Sequence, residues 1–272
     1  MSLVEAFIKQ AELYRKKNNY ETAIKFYDKY FSSAIKPEEV LSLQNAVYYV
    51  HYAISLVENA KKVGKPNNYN EDDLESAAEY LLTARTAFLN LYKDEVDIND
   101  LVDTFEYLGH ISLMNNQYKL ALAEFREGFS TASKNPKCSW RIKLSLLLLI
   151  STAQEHLEKP REAIISLDQA LSIIDEMLKG ELEGNEKKDL LEYKQEFVQK
   201  RTQLEDDAKE QDENKDVLNN AAEEEDEEEE IEEEEEIEDD VEEEKNEKQT
   251  ENHPTKEKKE IKEPPGIEKT LP

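Results

Sequence analysis

The sequence predicts an all-α protein. A helical solenoid of about four helix pairs with a C-terminal capping helix occupies residues 1–211, and a disordered acidic tail follows over 212–272. Three observations carry this. First, the stretch from Asp103 to Ser130, DTFEYLGHISLMNNQYKLALAEFREGFS, reads as two amphipathic helices joined at Asn115–Gln117. Small residues (Gly109, Ser112, Ala121, Gly128) stand where the helices must approach closely, and Phe105, Leu108, Tyr118 and Phe125 supply bulk. Second, an alanine followed four residues later by a large apolar residue recurs as Ala23/Tyr27, Ala77/Leu81, Ala121/Phe125 and Ala163/Leu167. One helix pair cannot bury its own apolar face, so such units need neighbours. Third, 19 of the 22 positions from Glu223 to Glu244 are Asp or Glu, a charge density that repels itself and cannot pack.

The elements follow in order. Ser2 and Glu5 form a candidate capping box for the first helix, and Asn18–Tyr20 is the turn to the second. Pro37 ends this pair. A long helix from Glu38 to Lys62 then stands without an immediate partner. Gly64, Pro66 and the polar run to Asp73 form a loop, and the missing partner appears at Leu74–Tyr92. The third pair is the one described first. The fourth runs from Trp140 to Leu157 and then from Arg161 to Leu178, after a loop around Pro136. Gly180 and Gly184 break the pattern. Lys187–Lys209 then reads as a polar helix with Leu190, Tyr193, Phe197 and Leu204 on one stripe, which suits a cap over the last pair.

This spacing resembles the tetratricopeptide (TPR) repeat. With Gly109 at repeat position 8, six positions of the third pair agree in type with the repeat pattern. Successive alanines at position 20 are separated by 54, 44 and 42 residues, longer than the ordinary period of about 34. The insertion accounts for the first gap. In a TPR-like solenoid, fixed positions of each first helix line a concave groove. Transferred here, they are Ile8, Glu12 and Arg15, then Val47, Val50, Ile54, Val57 and Glu58. The third pair contributes Asp103, Glu106, His110, Leu113 and Met114; the fourth, Leu148, Thr152, Glu155 and His156. Carboxylates at Glu12, Glu58, Asp103, Glu106 and Glu155 among apolar neighbours suit a basic helix or tail.

Charge narrows the classes of function. There are 64 acidic against 35 basic residues, a net charge of −29. That disfavours direct nucleic-acid binding, which needs clustered Lys and Arg, and favours a basic partner. The single Cys138 cannot form an internal disulfide, which fits a reducing compartment. No secretory pattern opens the chain and no apolar run approaches the ~18 residues of a membrane span, so a soluble intracellular protein without membrane attachment is expected. Catalysis, metals and cofactors find no support: His51, His110, His156 and His253 lie far apart, Cys138 has no evident base partner, and no Gly-rich phosphate loop occurs among six glycines.

The interrupted second pair carries a narrower resemblance. LVENAK at Leu56–Lys61, the resumption LESAAEYLLTARTAF and LEDDAKEQ at Leu204–Gln211 are together similar to the interrupted-TPR histone chaperones of the nuclear autoantigenic sperm protein (NASP) family. The likeness covers about Ser2–Gln211. It departs in the insertion, which that family makes long and strongly acidic and which here carries only Glu71, Asp72 and Asp73. The resemblance implies binding of histones H3 and H4, with linker histone a further candidate, for histone transport and nucleosome assembly in the nucleus. It implies a histone-contacting groove at Glu12, Glu58, Asp103, Glu106, His110 and Glu155. It also implies a histone-contacting tail around Glu223, Glu227, Glu232, Glu238, Asp239 and Asp240. A monomer and a homodimer both stay open. KEKKEIK at Lys256–Lys262 is a candidate nuclear import signal weakened by its glutamates. The competing readings are an adaptor for heat-shock chaperones, which needs a basic groove, and a scaffold for ribosome assembly.

Overall fold

The computed structural model describes residues 3–34, 40–63, 70–92, 95–180, 184–210 and 212. Among them all regular structure is helical. In order come α1 (Leu3–Lys16), α2 (Tyr20–Ala34), α3 (Leu43–Val63), α4 (Glu71–Asn90), α5 (Ile98–Met114), α6 (Tyr118–Lys134), α7 (Trp140–His156) and α8 (Pro160–Leu178). A further helix, α9, spans residues 184–210. These elements belong to one compact unit, Met1–Asp212. The capping box at Ser2, the breaks at Pro37 and Gly64–Pro66, the acidic tail and the import-signal candidate lie outside the described residues.

Each helix packs on the next, and α3 additionally packs on α5 and touches α1. The repeat register holds in all four pairs. Ala23, Ala77, Ala121 and Ala163 are fully buried, as are their large followers Tyr27, Leu81, Phe125 and Leu167. The small residues are required sterically. A Cβ on Gly109 would lie 2.6 Å from Cδ1 of Phe125, and one on Gly128 would lie 3.1 Å from Cβ of Phe105.

Three pairs turn by the same device. Asn18, Asn116 and Glu158 stand in the left-handed conformation, at φ 56°, 58° and 58°. The amide that follows each donates back five residues: Asn19 to the Tyr14 carbonyl, Gln117 to Ser112 and Lys159 to Gln154. This reversed 6→1 bond closes a helix whose last carbonyls would otherwise lack donors. In the first and third turns the next tyrosine caps the asparagine: Tyr20 Oη donates to Asn18 Oδ1 at 3.0 Å, and Tyr118 Oη to Asn116 Oδ1 at 2.8 Å.

Two helix starts differ from expectation. α3 begins at Leu43, later than Glu38, because Ser42 caps it: Oγ accepts from the Asn45 amide at 3.3 Å. α4 begins at Glu71 instead of Leu74. The trio Glu71–Asp73, expected in a loop, forms its first turn, where negative charge meets the positive end of the helix dipole.

The stripe expected on the last helix packs as a cap. Leu190, Phe197 and Leu204 are buried in one cluster with Leu144, Leu147, Leu167 and Ile174. Around it α9 is tied to α7 and α8 by ion pairs, including Arg141–Asp189 and Arg201–Asp168, each at 2.6 Å. Trp140 Nε1 donates to Glu186 at 2.9 Å.

Candidate functional site

The first helices of the pairs do share one recessed surface, and a pocket of about 460 Å³ opens on it. Its walls come from Arg15 and Lys16 of α1, Ile54 of α3, Asp103, Glu106 and Tyr107 of α5, and Arg141, Ile142 and Ser145 of α7. Tyr20 and Tyr193 stand at its sides. Only Asp103 and Glu106 of the carboxylates placed in the groove by repeat position line this pocket; the others are engaged elsewhere.

Glu12 is the hub of an internal network. Tyr27 Oη donates to its Oε1 at 2.6 Å, the Nδ1–H of His51 donates to the same oxygen at 2.7 Å, and Arg15 pairs with Oε2 at 3.1 Å. Burial alone would push this carboxyl up. The His51, Tyr27 and Arg15 contacts outweigh it and hold the group at about 2. His51 continues the chain toward Asp100, 3.8 Å from its Nε2, so α1, α3 and α5 are linked across the concave side. Glu58 pairs with Lys61 at 2.8 Å, and Glu155 with Lys200 of α9 at 2.6 Å. Three of the five carboxylates are therefore compensated within the chain.

Asp103 and Glu106 are not compensated in this way. Among the described residues no hydrogen bond or ion pair reaches the Asp103 carboxylate. Burial first, and then the neighbouring Glu106 and Asp100, push it up to about 7. Burial also raises Glu106, against the pull of Lys61 and a long hydrogen bond from Ser145 Oγ at 3.4 Å. A carboxylate recessed in protein without a partner is costly in its charged form, which is the physical origin of both shifts.

His110 plays another part. Its ring meets Tyr107 and Phe125 edge-on, at centroid distances of 5.6 and 5.8 Å. Burial holds it down to about 3, so the imidazole is neutral near pH 7 and its 3.9 Å approach to Glu106 is not an ion pair. It packs as a core ring. Val50 and Val57 are fully buried and Ile8 and Ile54 nearly so, because α3 is enclosed by α1, α4 and α5; the second pair gives its apolar groove positions to the core. His156 stacks on Tyr118 at 4.6 Å.

Repeat position alone missed Tyr20, Tyr107, Ser145 and Arg141 as wall residues. The signal for Tyr107 and Ser145 was their helical phase beside Glu106 and Leu148. Arg141 carries no signal without knowledge that α7 faces α5. Among the described residues no three His, Cys, Asp or Glu side chains are placed to hold a metal, and no helix is long and apolar enough to cross a membrane. Cys138 is a buried free thiol whose pKa burial raises.

No protein family model matches the chain, and no curated protein matches it. Solved structures do. BtubC (BKLC) from P. vanneervenii aligns with a TM-score of 0.54 at 14% identity, covering 67% of this chain and 67% of that one. A Podospora anserina putative kinesin light chain with nearly identical TPR-like repeats aligns at 0.53 and 12% identity, over 79% of this chain and 91% of that one. The fold is a TPR-type helical solenoid. Identities this low speak to architecture alone.

Proposed function

We propose that this TPR-type scaffold is a histone chaperone of the NASP type, binding H3 and H4 through its concave carboxylates and its acidic segment and handing them on in the nucleus. The observation that supports it most is the uncompensated Asp103–Glu106 pair in a walled pocket, in a chain that also carries 19 acidic residues in the 22 from Glu223 to Glu244. A recessed negative site selects for position, while a charged segment covers a basic surface without fixed geometry. This reading assigns no catalysis, no metal and no direct nucleic-acid contact. It treats linker histone as a further ligand and leaves the monomer and homodimer to solution measurement.

An adaptor for an acidic peptide is the second reading, and Arg15, Lys16 and Arg141 on the pocket wall favour it. Two of these cations are already engaged, Arg15 by Glu12 and Arg141 by Asp189, which weakens it. A pull-down from nuclear extract with the full chain, identified by mass spectrometry, separates the readings. Recovery of H3 and H4 at moderate salt supports the chaperone. Recovery of heat-shock chaperones or ribosomal proteins without histones overturns it.

A further inference from the structure

The pocket between α1, α3, α5 and α7 carries two unmet polar groups of opposite sense. The Asp103 carboxylate is recessed without a partner, and Arg15, on the same wall, has a buried Nε–H with no acceptor. A ligand that answers both brings a cation for the carboxylate and a hydrogen-bond acceptor for the guanidinium. A peptide segment with one long basic side chain has both, its acceptor being a backbone carbonyl. Tyr20 and Tyr107 offer ring surface along the way in, suited to the apolar stem of a lysine or the plane of an arginine.

We propose that this pocket receives a single lysine or arginine side chain on the Asp103–Glu106 pair, and that a proton leaves the pair as the cation enters. No covalent bond changes: the carboxyl O–H of the pair gives its proton to solvent, and the ammonium or guanidinium replaces it. The inference rests on the chaperone reading for its macromolecular ligand, and it adds that capture is proton-linked.

The groups facing the pair explain why it holds a proton when empty. On α5 itself Asp100 adds negative charge, as does Asp97 just before the helix. From α1 comes Arg15, already tied to Glu12; from α3, Lys61, tied to Glu58, and His51, whose Nδ1 is on Glu12. From α7, Arg141 is drawn to Asp189. His110 beside Glu106 is neutral near pH 7. The nearby cations are committed elsewhere, so two adjacent carboxyls retain a proton until an outside cation arrives. Asp103 titrates at about 7 in the empty pocket. At that pH binding therefore releases about half a proton, and affinity rises with pH because the ionised pair is the form that binds. Between pH 6 and pH 8 the ionised fraction grows about tenfold, from roughly 0.1 to 0.9.

The test uses the full chain. H3–H4 is titrated calorimetrically in two buffers of different ionisation enthalpy at pH 7, and its affinity is measured from pH 6 to pH 8, for the wild type and Asp103→Asn. Release of about half a proton more by the wild type, with an affinity advantage over Asp103→Asn that grows about tenfold across the range, supports the inference. Equal proton counts and parallel pH profiles overturn it while leaving the chaperone reading intact. Should H3–H4 not bind at all, that reading falls and a second probe decides the pocket. n-Butylguanidinium is titrated while the Asp103 carboxyl carbon is followed by NMR, assigned by difference from Asp103→Asn. A fall in its midpoint of one unit or more on saturation supports the site; an unmoved midpoint overturns it.

Discussion

The two halves of the solenoid solve the same packing problem with different chemistry. Around α1–α4 the core is aromatic. Tyr27, Phe31, Tyr49, Tyr52 and Tyr80 form a cluster with ring centroids 4.9–6.3 Å apart. Several hydroxyls in this half are anchored on acceptors: Tyr27 on Glu12, Tyr52 on Asp28 and Tyr30 on Asn45. Around α7–α9 the core is aliphatic, with Leu144, Leu147, Leu167, Ile174, Leu190 and Leu204 about the single ring of Phe197, and its polar contacts lie at the rim as ion pairs. Aliphatic packing depends on volume and tolerates small shifts in angle. Buried phenols need directed partners, so they fix the orientation of the helices that carry them. The directed chemistry sits where the second pair is interrupted between α3 and α4, and where covalent proximity does least to set helix orientation. The price is sensitivity to pH, which the aliphatic half does not share.

Four substitutions break or sharpen this contrast. The largest effect is expected from Phe197→Ala, which empties the centre of the α9 cap and should cost about 3–5 kcal/mol in urea unfolding, with little dependence on pH. A loss below ~1 kcal/mol would mean that α9 is not integral to the aliphatic core. Next comes Glu12→Gln in the aromatic half. The folded carboxyl sits at about 2, below its ordinary 4.5, so its stabilisation is present above the ordinary value and is lost as pH falls through 2. At pH 7 the variant should lose about 2 kcal/mol, allowing for solvent access, and the deficit should close in acid. A deficit independent of pH would show that shape, not charge, is what Glu12 contributes.

Asp103→Asn should act in the opposite sense. A carboxyl raised to about 7 contributes stability that is complete below its ordinary 3.8 and lost as pH rises through 7. The variant should therefore be more stable than the wild type by about 1–3 kcal/mol at pH 8, with the gain shrinking toward pH 4. Stabilisation with weaker ligand binding would mark a residue kept for function against the interest of the fold. The smallest effect concerns the shared turn. Glu158 adopts the left-handed conformation that Asn18 and Asn116 adopt more readily, so Glu158→Gly should stabilise by about 0.5–1 kcal/mol, read as a rise in Tm. An unchanged Tm would place no strain in the fourth turn.

Much of this architecture was legible before any coordinates. The recurrence of Ala and a large residue four apart marks the second helix of every pair, because a side chain that small at that position is demanded by close helix contact. All four alanines are accordingly buried. The polar Asn–Asn turn signalled the left-handed closure at Asn18 and Asn116. The helix starts were less legible. The trio Glu71–Asp73 reads as loop by polarity, but its charge favours a helix N-terminus, and Ser42 caps α3 where composition alone suggested an earlier start. In the groove, repeat position picked out five carboxylates and could not rank them.

The sequence by itself determined the helix pairing, the register and the acidic excess. These follow from local periodicity and composition, which a chain carries in any conformation. Only the tertiary structure decided which carboxylates remain open. Glu12 is claimed by His51, 39 residues away, and Glu155 by Lys200, 45 residues away, while nothing comparable reaches Asp103. Charge compensation depends on distances of a few ångströms between helices far apart in the chain, and those distances exist only once the superhelix has wound.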